Sequence, residues 1–310
     1  MSGTASAALA GGAAATTPTA RPFSQRMVPY LYVLPAVAFV GLFLLYPMVV
    51  TLWQSFTSFD GITDPVFNGL DNYVELFADP NFLLSLRNTL IWTVASVIFP
   101  VTLGLVFALA INGIRGSGFF KTSVYLPATI SAAAVGILFT FVFDPGNGVI
   151  NAFLEAVGLG ALKQRWLFES PLNTFAMIGA YTWQQTGLNM MLFLVGLQGL
   201  PTEPLEAAKL DGCSPWRLTR QIVIPMLAPY IVIATLLAVV NGFKVFDLIW
   251  VMTQGGPSRS SETLAVTMYR EAFILFRLGY SAAIAVIISI AAIAFSYFYM
   301  RSVVRQETQI

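Results

Sequence analysis

Long stretches without a charged residue constrain this chain more than any other feature. Six windows contain no Asp, Glu, Lys or Arg, and they cover residues 27 to 59, 88 to 114, 122 to 143, 170 to 202, 221 to 243 and 278 to 300. A helix needs about 20 apolar residues to cross about 30 Å of hydrocarbon, and an ionised side chain at its centre costs about 2.5 to 3.5 kcal/mol. The windows predict an all-α, polytopic membrane protein with six transmembrane helices.

Apolar density and flanking Gly, Pro and polar clusters narrow the windows to helices. We expect these helices near residues 29 to 52, 88 to 112, 121 to 143, 173 to 197, 221 to 243 and 279 to 301. The composition agrees, since 57% of the residues are hydrophobic and 10% are charged, whereas soluble domains have about 25% charged residues. We therefore predict one transmembrane domain from residue 29 to residue 302.

The two ends of the chain differ from the windows in composition. Residues 1 to 28 are mainly Ala, Gly, Thr and Ser with two prolines and no acidic residue, which cannot bury enough apolar surface to fold alone. We predict a disordered cytoplasmic tail there and a short cytoplasmic tail at residues 303 to 310. A cleaved signal peptide is the alternative for the first tail, but a basic start and a compact Leu/Val core are missing.

The distribution of Lys and Arg predicts the orientation of the chain. With the N-terminus inside, the inner segments hold nine of the 16 basic residues. These nine are Arg21, Arg26, Arg115, Lys121, Lys209, Arg217, Arg220, Arg301 and Arg305. Basic residues favour the cytoplasmic side, so we predict that both termini are cytoplasmic.

Missing residue types exclude several functions. The chain has no histidine and one cysteine, Cys213, which rules out histidine-based metal sites, Ser-His-Asp or Cys-His nucleophiles and internal disulfides. No lysine follows a glycine, so a phosphate-binding G-x-x-x-x-G-K-[ST] loop is absent. The net charge of +1 argues against nucleic-acid binding. We therefore expect no enzyme activity and no metal or cofactor site in this chain.

Neutral polar residues inside two windows are the candidate binding residues. The fourth window contains Trp183, Gln184, Gln185, Thr186 and Asn189, and Asn241 lies at the end of the fifth. Amides and hydroxyls offer the donors and acceptors that a neutral polyhydroxylated solute needs, and an indole can face a sugar ring. The alternative is that these side chains bond across helices, as polar residues do in membrane bundles.

The segment between the fourth and fifth windows is polar and reads PTEPLEAAKLDGCSPWRLTRQIVIPMLAP. We expect cytoplasmic helices over residues 201 to 220, with a first helix from about Glu203, a turn at Gly212 and a second helix from Ser214-Pro215. Ser before Pro is a favourable helix start, and Gly favours a helix end. A plain connecting loop is the alternative.

This segment resembles the coupling signature of permease subunits in ATP-binding-cassette importers, E-A-A-x3-G-x9-I-x-L-P. The matching residues are Glu206-Ala207-Ala208, Gly212 and Ile222-Val223-Ile224-Pro225, with Ile224 where Leu is usual. Four further segments are similar to the maltose-type sugar permeases, and the resemblance covers about residues 30 to 301. They are LLYPMVVTLWQSF at 44 to 56, F-x-G-L-x-N-Y at 67 to 73, Arg87-Asn88-Thr89, and FKVFDLIWVMTQGGP at 243 to 257.

The resemblance implies the type I importer permease fold, a multi-pass location in a prokaryotic inner (plasma) membrane and a set of partners. These partners are a second permease subunit (a distinct homologue or another copy), two ATPase subunits that bind ATP and Mg, an extracytoplasmic solute-binding protein, a sugar and membrane lipid. It implies that the coupling helix docks on an ATPase subunit. The coupling residues would be Glu206, Ala207, Ala208, Asp211, Gly212 and Pro225.

The resemblance also places sugar-contacting positions on this chain. They fall on Gln184, Gln185, Leu188, Ala238, Asn241, Gly242 and Val245. Lys244 and Asp247 stand three apart on an expected helical face, so they form either a buried ion pair at the rim of the cavity or direct ligands.

These observations favour a permease subunit of an ATP-driven importer for a sugar or oligosaccharide. An ion-coupled secondary carrier of a neutral polar solute is the alternative from another class, but charged residues are absent from the windows. A membrane-embedded enzyme lacks a catalytic constellation. Glycerol phosphate or another small polyol ester stays open as cargo, since Lys244 suits an anion.

Overall fold

A computed structural model describes residues 23–307, with the side chains of residues 30–301. The chain divides into two units, Met1–Val50 and Thr51–Ile310. In the first unit, helix α1 is Phe23–Val40, a π-helical segment follows at Gly41–Leu45, and α2 (Tyr46–Gln54) continues into the second unit. The described part of the first helix starts at Phe23, before the predicted boundary at residue 29, and the division into a tail and a transmembrane domain stays a prediction. Residues 1 to 22 of the predicted tail lie outside the described residues.

The second unit is almost entirely helical. Two short strands, β1 (Thr57–Ser58) and β2 (Val66–Phe67), form an antiparallel pair with Thr57 opposite Phe67. The helices that follow are α3 Asp71–Ala78, α4 Pro80–Ser96, α5 Thr102–Ile111, α6 Gly118–Tyr125, α7 Ala132–Val142, α8 Val149–Ala156, α9 Leu172–Gln198, α10 Thr202–Leu210, α11 Pro215–Leu218, α12 Ile224–Met226, α13 Ala228–Phe243, α14 Asp247–Thr253, α15 Leu264–Phe273 and α16 Leu278–Glu307. The all-α prediction is confirmed.

Length and apolarity qualify fewer helices as spans than the six windows suggested. Within the described chain, Tyr30–Gln54, Pro80–Ile111 and Leu278–Arg301 are long and apolar enough to cross a membrane, and two bent helix pairs raise the number to at most five. The predicted span at 173 to 197 is the 27-residue helix α9, which is not among these five because its amides lower its mean hydropathy. The predicted count of six is not confirmed by this criterion.

Two predicted spans are bent rather than straight. The segments Gly118–Thr129 and Ala132–Val142 meet at 101°. Ser131 begins α7, where its side chain accepts a hydrogen bond from the backbone N–H of Ala134. Pro127 sits in the preceding 3-10 turn and is buried. A proline cannot donate a helical hydrogen bond, so the α-helix ends before the turn and restarts at a new cap.

The second bend separates Pro215–Met226 from Ala228–Phe243 by 66°. A proline occupies the first turn of the helix on each side of it, Pro225 in α12 and Pro229 in α13. Proline is tolerated in a first turn because that N–H has no helical partner. The predicted helix at 221 to 243 is therefore a short helix and a longer one at an angle.

The helix predicted at 88 to 112 starts earlier than its charge-free window. Pro80 is its first residue, and Asp79 caps it by accepting a hydrogen bond of 2.8 Å from the N–H of Asn81. The charge-free window starts only at residue 88, because the charged residue Arg87 lies in this first part of the helix. A π-helical segment with Pro100 interrupts the helix at Val97–Val101, which fits the absence of a proline N–H.

The buried core centres on α9, which packs against α4, α5, α7 and α13. Its side chains Met177, Met190 and Phe193 are fully buried. Gly187 allows α9 to lie close to α6, because a Cβ there would lie 2.2 Å from the carbonyl oxygen of Val124. The 27-residue helix α9 is therefore the central element against which the neighbouring helices pack.

One of the segments that carried the family resemblance, Arg87-Asn88-Thr89, has a structural role. Asn88 Nδ2 donates to the carbonyl oxygens of Ser260 (2.8 Å) and Glu262 (2.9 Å), and Thr89 Oγ1 accepts from the N–H of Leu264 (2.8 Å). The Arg-Asn-Thr segment thus holds the loop that follows T-Q-G-G-P. Buried backbone groups need such partners, so these polar residues fix the loop between α14 and α15.

An ion-pair network lies beside this loop. The Glu262 side chain is 1% exposed and receives Arg259 Nε at 2.8 Å and Arg270 Nε at 2.6 Å. Glu271, 2% exposed, faces Arg259 and Arg277 at 3.5 and 3.4 Å. Burial raises the pKa of Glu271 against the lowering effect of these two guanidinium groups. The segment after α13 is therefore tied together by paired charges.

Candidate functional site

A cavity of about 380 Å³ collects several of the predicted binding residues. It lies between the start of α7, the middle of α9 and the turn that joins α13 to α14. Its lining residues are Ala132, Tyr181, Gln184, Gln185, Asn241, Lys244, Val245, Phe246, Asp247 and Leu248. We call this space the amide cavity, because three side-chain amides line it.

Gln184 holds the bend before α7 and keeps one atom unpaired. Its side chain donates from Nε2 to the carbonyl oxygen of Ile130 at 2.7 Å, and the residue is 3% exposed. A carbonyl can only accept, so this contact fixes the orientation of the amide. The other atom, Oε1, is buried and has no hydrogen-bond partner in the described part of the chain. An unpaired buried acceptor costs about 1 to 3 kcal/mol.

The other two amides reach the cavity from different helices. Gln185 is half-buried on α9, and Asn241 is exposed near the end of α13. Tyr181 and Phe246 add aromatic walls, and Tyr181 is held edge-on to the buried Trp92 at 5.6 Å between ring centroids. Amides beside aromatic faces bind hydroxyl groups and apolar ring faces together.

Of the two alternatives for Lys244 and Asp247, the structure does not show the buried ion pair. Helix α13 ends at Phe243 and α14 begins at Asp247, so the two residues do not share one helical face. Both are exposed and line the amide cavity, and no ion pair joins them among the described residues. The buried carbonyl of Val245 between them accepts from Thr263 Oγ1 at 2.9 Å, which fixes the turn.

Three predicted pathway residues on α9 lie away from this cavity. Trp183 is 42% exposed, lines a different cavity of about 430 Å³ and packs edge-on against Phe139. Leu188 is exposed outside the amide cavity. The Asn189 side chain donates to the Gln185 carbonyl within its own helix at 3.0 Å. Successive residues on a helix are about 100° apart, so a cluster in sequence spreads over several faces.

Two predicted residues on α13 serve helix packing. The carbonyl oxygen of Ala238 accepts from Ser96 Oγ at 3.0 Å. A Cβ on Gly242 would lie 2.7 Å from Thr93 Cα and 2.8 Å from Ser96 Oγ. These residues let α13 lie directly on α4. Val245 does reach the amide cavity, although most of it is buried in the core.

Sequence reasoning missed four residues of the cavity: Ala132, Tyr181, Phe246 and Leu248. Tyr181 stands three residues before Gln184, which is close to one helical turn, so helical spacing was an available signal. Ala132 enters the site because the helix breaks at Ile130. Phe246 and Leu248 enter because α13 stops at Phe243, where the predicted helix also ends, and a separate helix, α14, starts at Asp247.

The predicted coupling segment has the expected helix, turn and helix. Helix α10 ends in a Schellman motif, in which the N–H of Cys213 bonds to the carbonyl of Ala208 at 3.0 Å and the N–H of Gly212 to that of Lys209 at 3.1 Å. Gly212 has φ +74°, a conformation that glycine adopts readily. Ser214 then starts α11 by accepting from the N–H of Arg217.

This segment presents side chains outward. Glu206, Ala207 and Asp211 are exposed, Ala208 is half-buried, and Pro225 is exposed at the start of α12. Leu210 is 89% exposed and Trp216 is 72% exposed. Large apolar side chains at that exposure, beside charged ones, are a feature of protein interaction surfaces.

The bent helices, the amide cavity and the outward helix-turn-helix define a multi-pass membrane permease. Residues 100–308 match the family described as the binding-protein-dependent transport system inner membrane component, and the chain belongs to this family. The family description places the protein in the inner membrane. The predicted family and its type I importer permease fold are confirmed.

Named relatives agree with this assignment. A lactose transport system permease protein of Rhizobium radiobacter is 34% identical over 277 residues, covering 87% of this chain and 92% of the relative. A sn-glycerol-3-phosphate transport system permease protein of Agrobacterium fabrum is 32% identical over 289 residues, covering 91% and 96%. A crystal structure of a bacterial ABC transporter that imports the acidic polysaccharide alginate contains a chain with the same fold, at TM-score 0.80 and 23% identity, covering 91% of this chain and 96% of that one.

Proposed function

We propose that this chain forms half of the translocation pathway of an ATP-driven importer and that the amide cavity contacts a sugar or oligosaccharide. The observation that carries the proposal is that three side-chain amides from two helices line one cavity together with the rings of Tyr181 and Phe246. A sugar presents hydroxyl groups to such amides and an apolar ring face to such aromatic rings. The permease is not an enzyme in this proposal and holds no cofactor.

The proposed partners supply what this chain lacks. A second permease subunit, a homologue or another copy, completes the pathway, and two ATPase subunits bind ATP and Mg. A solute-binding protein delivers the sugar from the outer side. The lactose permease relative supports a sugar as cargo, and the family description supports delivery by a binding protein.

The coupling segment is the proposed contact with the ATPase. The proposed orientation of the chain in the membrane places both termini and residues 201 to 220 on the cytoplasmic side. The exposure of Glu206, Leu210 and Trp216 leaves charged and apolar groups free for a partner groove. The Schellman turn at Gly212 holds the two short helices at a fixed angle, so motion of an ATPase subunit would be passed to α12 and α13.

Alanine variants of the amides test the cargo site. In proteoliposomes with the complete importer and its binding protein, Gln184→Ala, Gln185→Ala and Asn241→Ala should each raise the sugar concentration for half-maximal uptake about tenfold, as the loss of about 1.4 kcal/mol of binding free energy implies. Asn189→Ala is the matched control, because Asn189 does not line the amide cavity and, in the described structure, its amide donates to the Gln185 carbonyl within α9. ATP hydrolysis stimulated by the loaded binding protein should persist.

The same assay separates cargo contact from helix packing. If the amides only joined helices, the three variants would lower the melting temperature without changing uptake among a panel of sugars. That result would contradict the cargo site. ATP-driven uptake itself is tested with vanadate, since an ion-coupled carrier would continue to transport in its presence.

A further inference from the structure

Lys244 and Asp247 carry opposite charges and line the same cavity, but in the described structure they form no ion pair with each other. They are the charged residues among the ten that line the amide cavity. Both are exposed, and neither has a hydrogen bond or ion pair from another side chain in the described structure. Two unpaired charges of opposite sign leave the cavity with no net charge from its ionised side chains.

The helix break keeps these charges apart. Lys244 caps the end of α13 and Asp247 lies in the first turn of α14. A cation at a helix end and an anion at a helix start are each favourable with the helix dipole. The turn between them is fixed, because Thr263 Oγ1 donates to the carbonyl of Val245 at 2.9 Å and Val245 is 8% exposed.

We infer that this balance selects neutral solutes and that Asp247 is the residue that excludes acidic ones. The inference rests on the proposed function, because it names the class of solute for the same cavity. A sugar hydroxyl donates to a carboxylate and accepts from an ammonium group, so a neutral polyol satisfies both charges. A phosphate or uronate group would gain Lys244 but would meet Asp247, and like charges in one site repel.

Under this inference, the solute class of this chain differs from that of two proteins that resemble it in sequence or fold. The sn-glycerol-3-phosphate permease and the alginate importer are named for anionic solutes. The cavity of this chain has an attractive cation for such a solute, but the carboxylate of Asp247 cancels it. Loss of that carboxylate would leave Lys244 alone and give the cavity a net positive charge.

Thiol reagents of different charge measure this balance directly. We would place a cysteine at Ala132, which lines the amide cavity and has no proposed role in sugar binding, and follow its modification by mass spectrometry in the assembled importer. Methanethiosulfonates that carry a sulfonate, an ammonium or a hydroxyl group serve as anionic, cationic and neutral probes. Trp183→Cys is the control, because Trp183 lines another cavity.

Asp247→Asn should raise the rate of the anionic probe relative to the neutral one and lower that of the cationic probe, each by about three- to tenfold for one unit charge in a partly hydrated cavity. Lys244→Gln should have the opposite effect, and Asp247→Glu should leave the ratios unchanged. The cysteine at position 183 should respond to none of these changes. An unchanged ratio in Asp247→Asn would overturn the inference, as would an equal change at the control position.

Sugar protection completes the test and separates the two proposals. Glucose at high concentration should slow the neutral probe at the Ala132→Cys position, whereas glucuronate should slow it only after Asp247→Asn. Equal protection by glucuronate in the parent would overturn the charge selection. If glucose gave no protection while the probe ratios still shifted as expected, the sugar assignment would fail and the charge balance would stand.

Discussion

A substitution at Gly242 tests whether this residue contacts the cargo or packs one helix against another. The family resemblance placed it among sugar-contacting positions, but the structure places it where α13 crosses α4. A Cβ there would lie 2.7 Å from Thr93 Cα and 2.8 Å from Ser96 Oγ, whereas ordinary contacts are about 3.5 to 4.0 Å. Gly242→Ala therefore requires the two helices to separate by several tenths of an ångström.

The cost follows from what that separation disturbs. Overpacking of a tight contact costs about 1 to 3 kcal/mol. The hydrogen bond from Ser96 Oγ to the carbonyl of Ala238, 3.0 Å long, spans the same crossing, and its weakening adds up to about 1 kcal/mol. Alanine returns about 1 kcal/mol through its higher helix propensity. Together these contributions should destabilise Gly242→Ala by up to about 3 kcal/mol.

Thermal unfolding in nanodiscs measures this effect. The control is Gly179→Ala in α9, where a Cβ would have no heavy atom within 4 Å, so helix propensity should leave its stability unchanged or slightly raised. Gly242→Ala should melt several degrees below the parent, and uptake should keep its preference among sugars. A normal melting temperature with altered sugar preference would refute the packing argument and restore Gly242 to the cargo site.

Three further changes test other parts of the structure. Glu262→Gln should lower the melting temperature strongly, because two guanidinium groups lose their buried carboxylate partner and breaking such a pair costs about 3 to 5 kcal/mol. The control is Glu155→Gln, which breaks the exposed pair with Lys163 and should not shift the melting temperature measurably. Burial raises the pKa of Glu271, so the folded state binds the proton of this carboxyl more tightly than the unfolded chain does. Protonation of Glu271 should therefore stabilise the protein increasingly as the pH falls from neutral through the folded pKa. Glu271→Gln should remove this pH dependence from melting curves recorded at several pH values. Gly212→Val should strain the turn at φ +74° by about 1 kcal/mol or more and reduce copurification of the ATPase and transport while membrane insertion stays normal; normal transport would contradict the coupling role.

The sequence by itself was enough to predict the class of fold and the helix-turn-helix of α10 and α11. Charge-free windows report where a helix tolerates hydrocarbon, which depends on composition along the chain. The turn at Gly212 and the cap at Ser214 depend on local backbone chemistry, and the structure contains both. Each of these features involves residues that are neighbours in sequence, so no tertiary contact is needed to predict them.

Only the tertiary structure decided which polar residues share a cavity. Gln184 and Trp183 are adjacent in sequence but point to different cavities, because successive helical residues are about 100° apart and packing selects the face. The break at Ile130 is bound by an amide 54 residues away. Lys244 and Asp247 stay apart because α13 ends at Phe243 and Thr263, 18 residues beyond Val245, holds the turn. These outcomes depend on contacts between distant segments, which a pattern read along one segment does not contain.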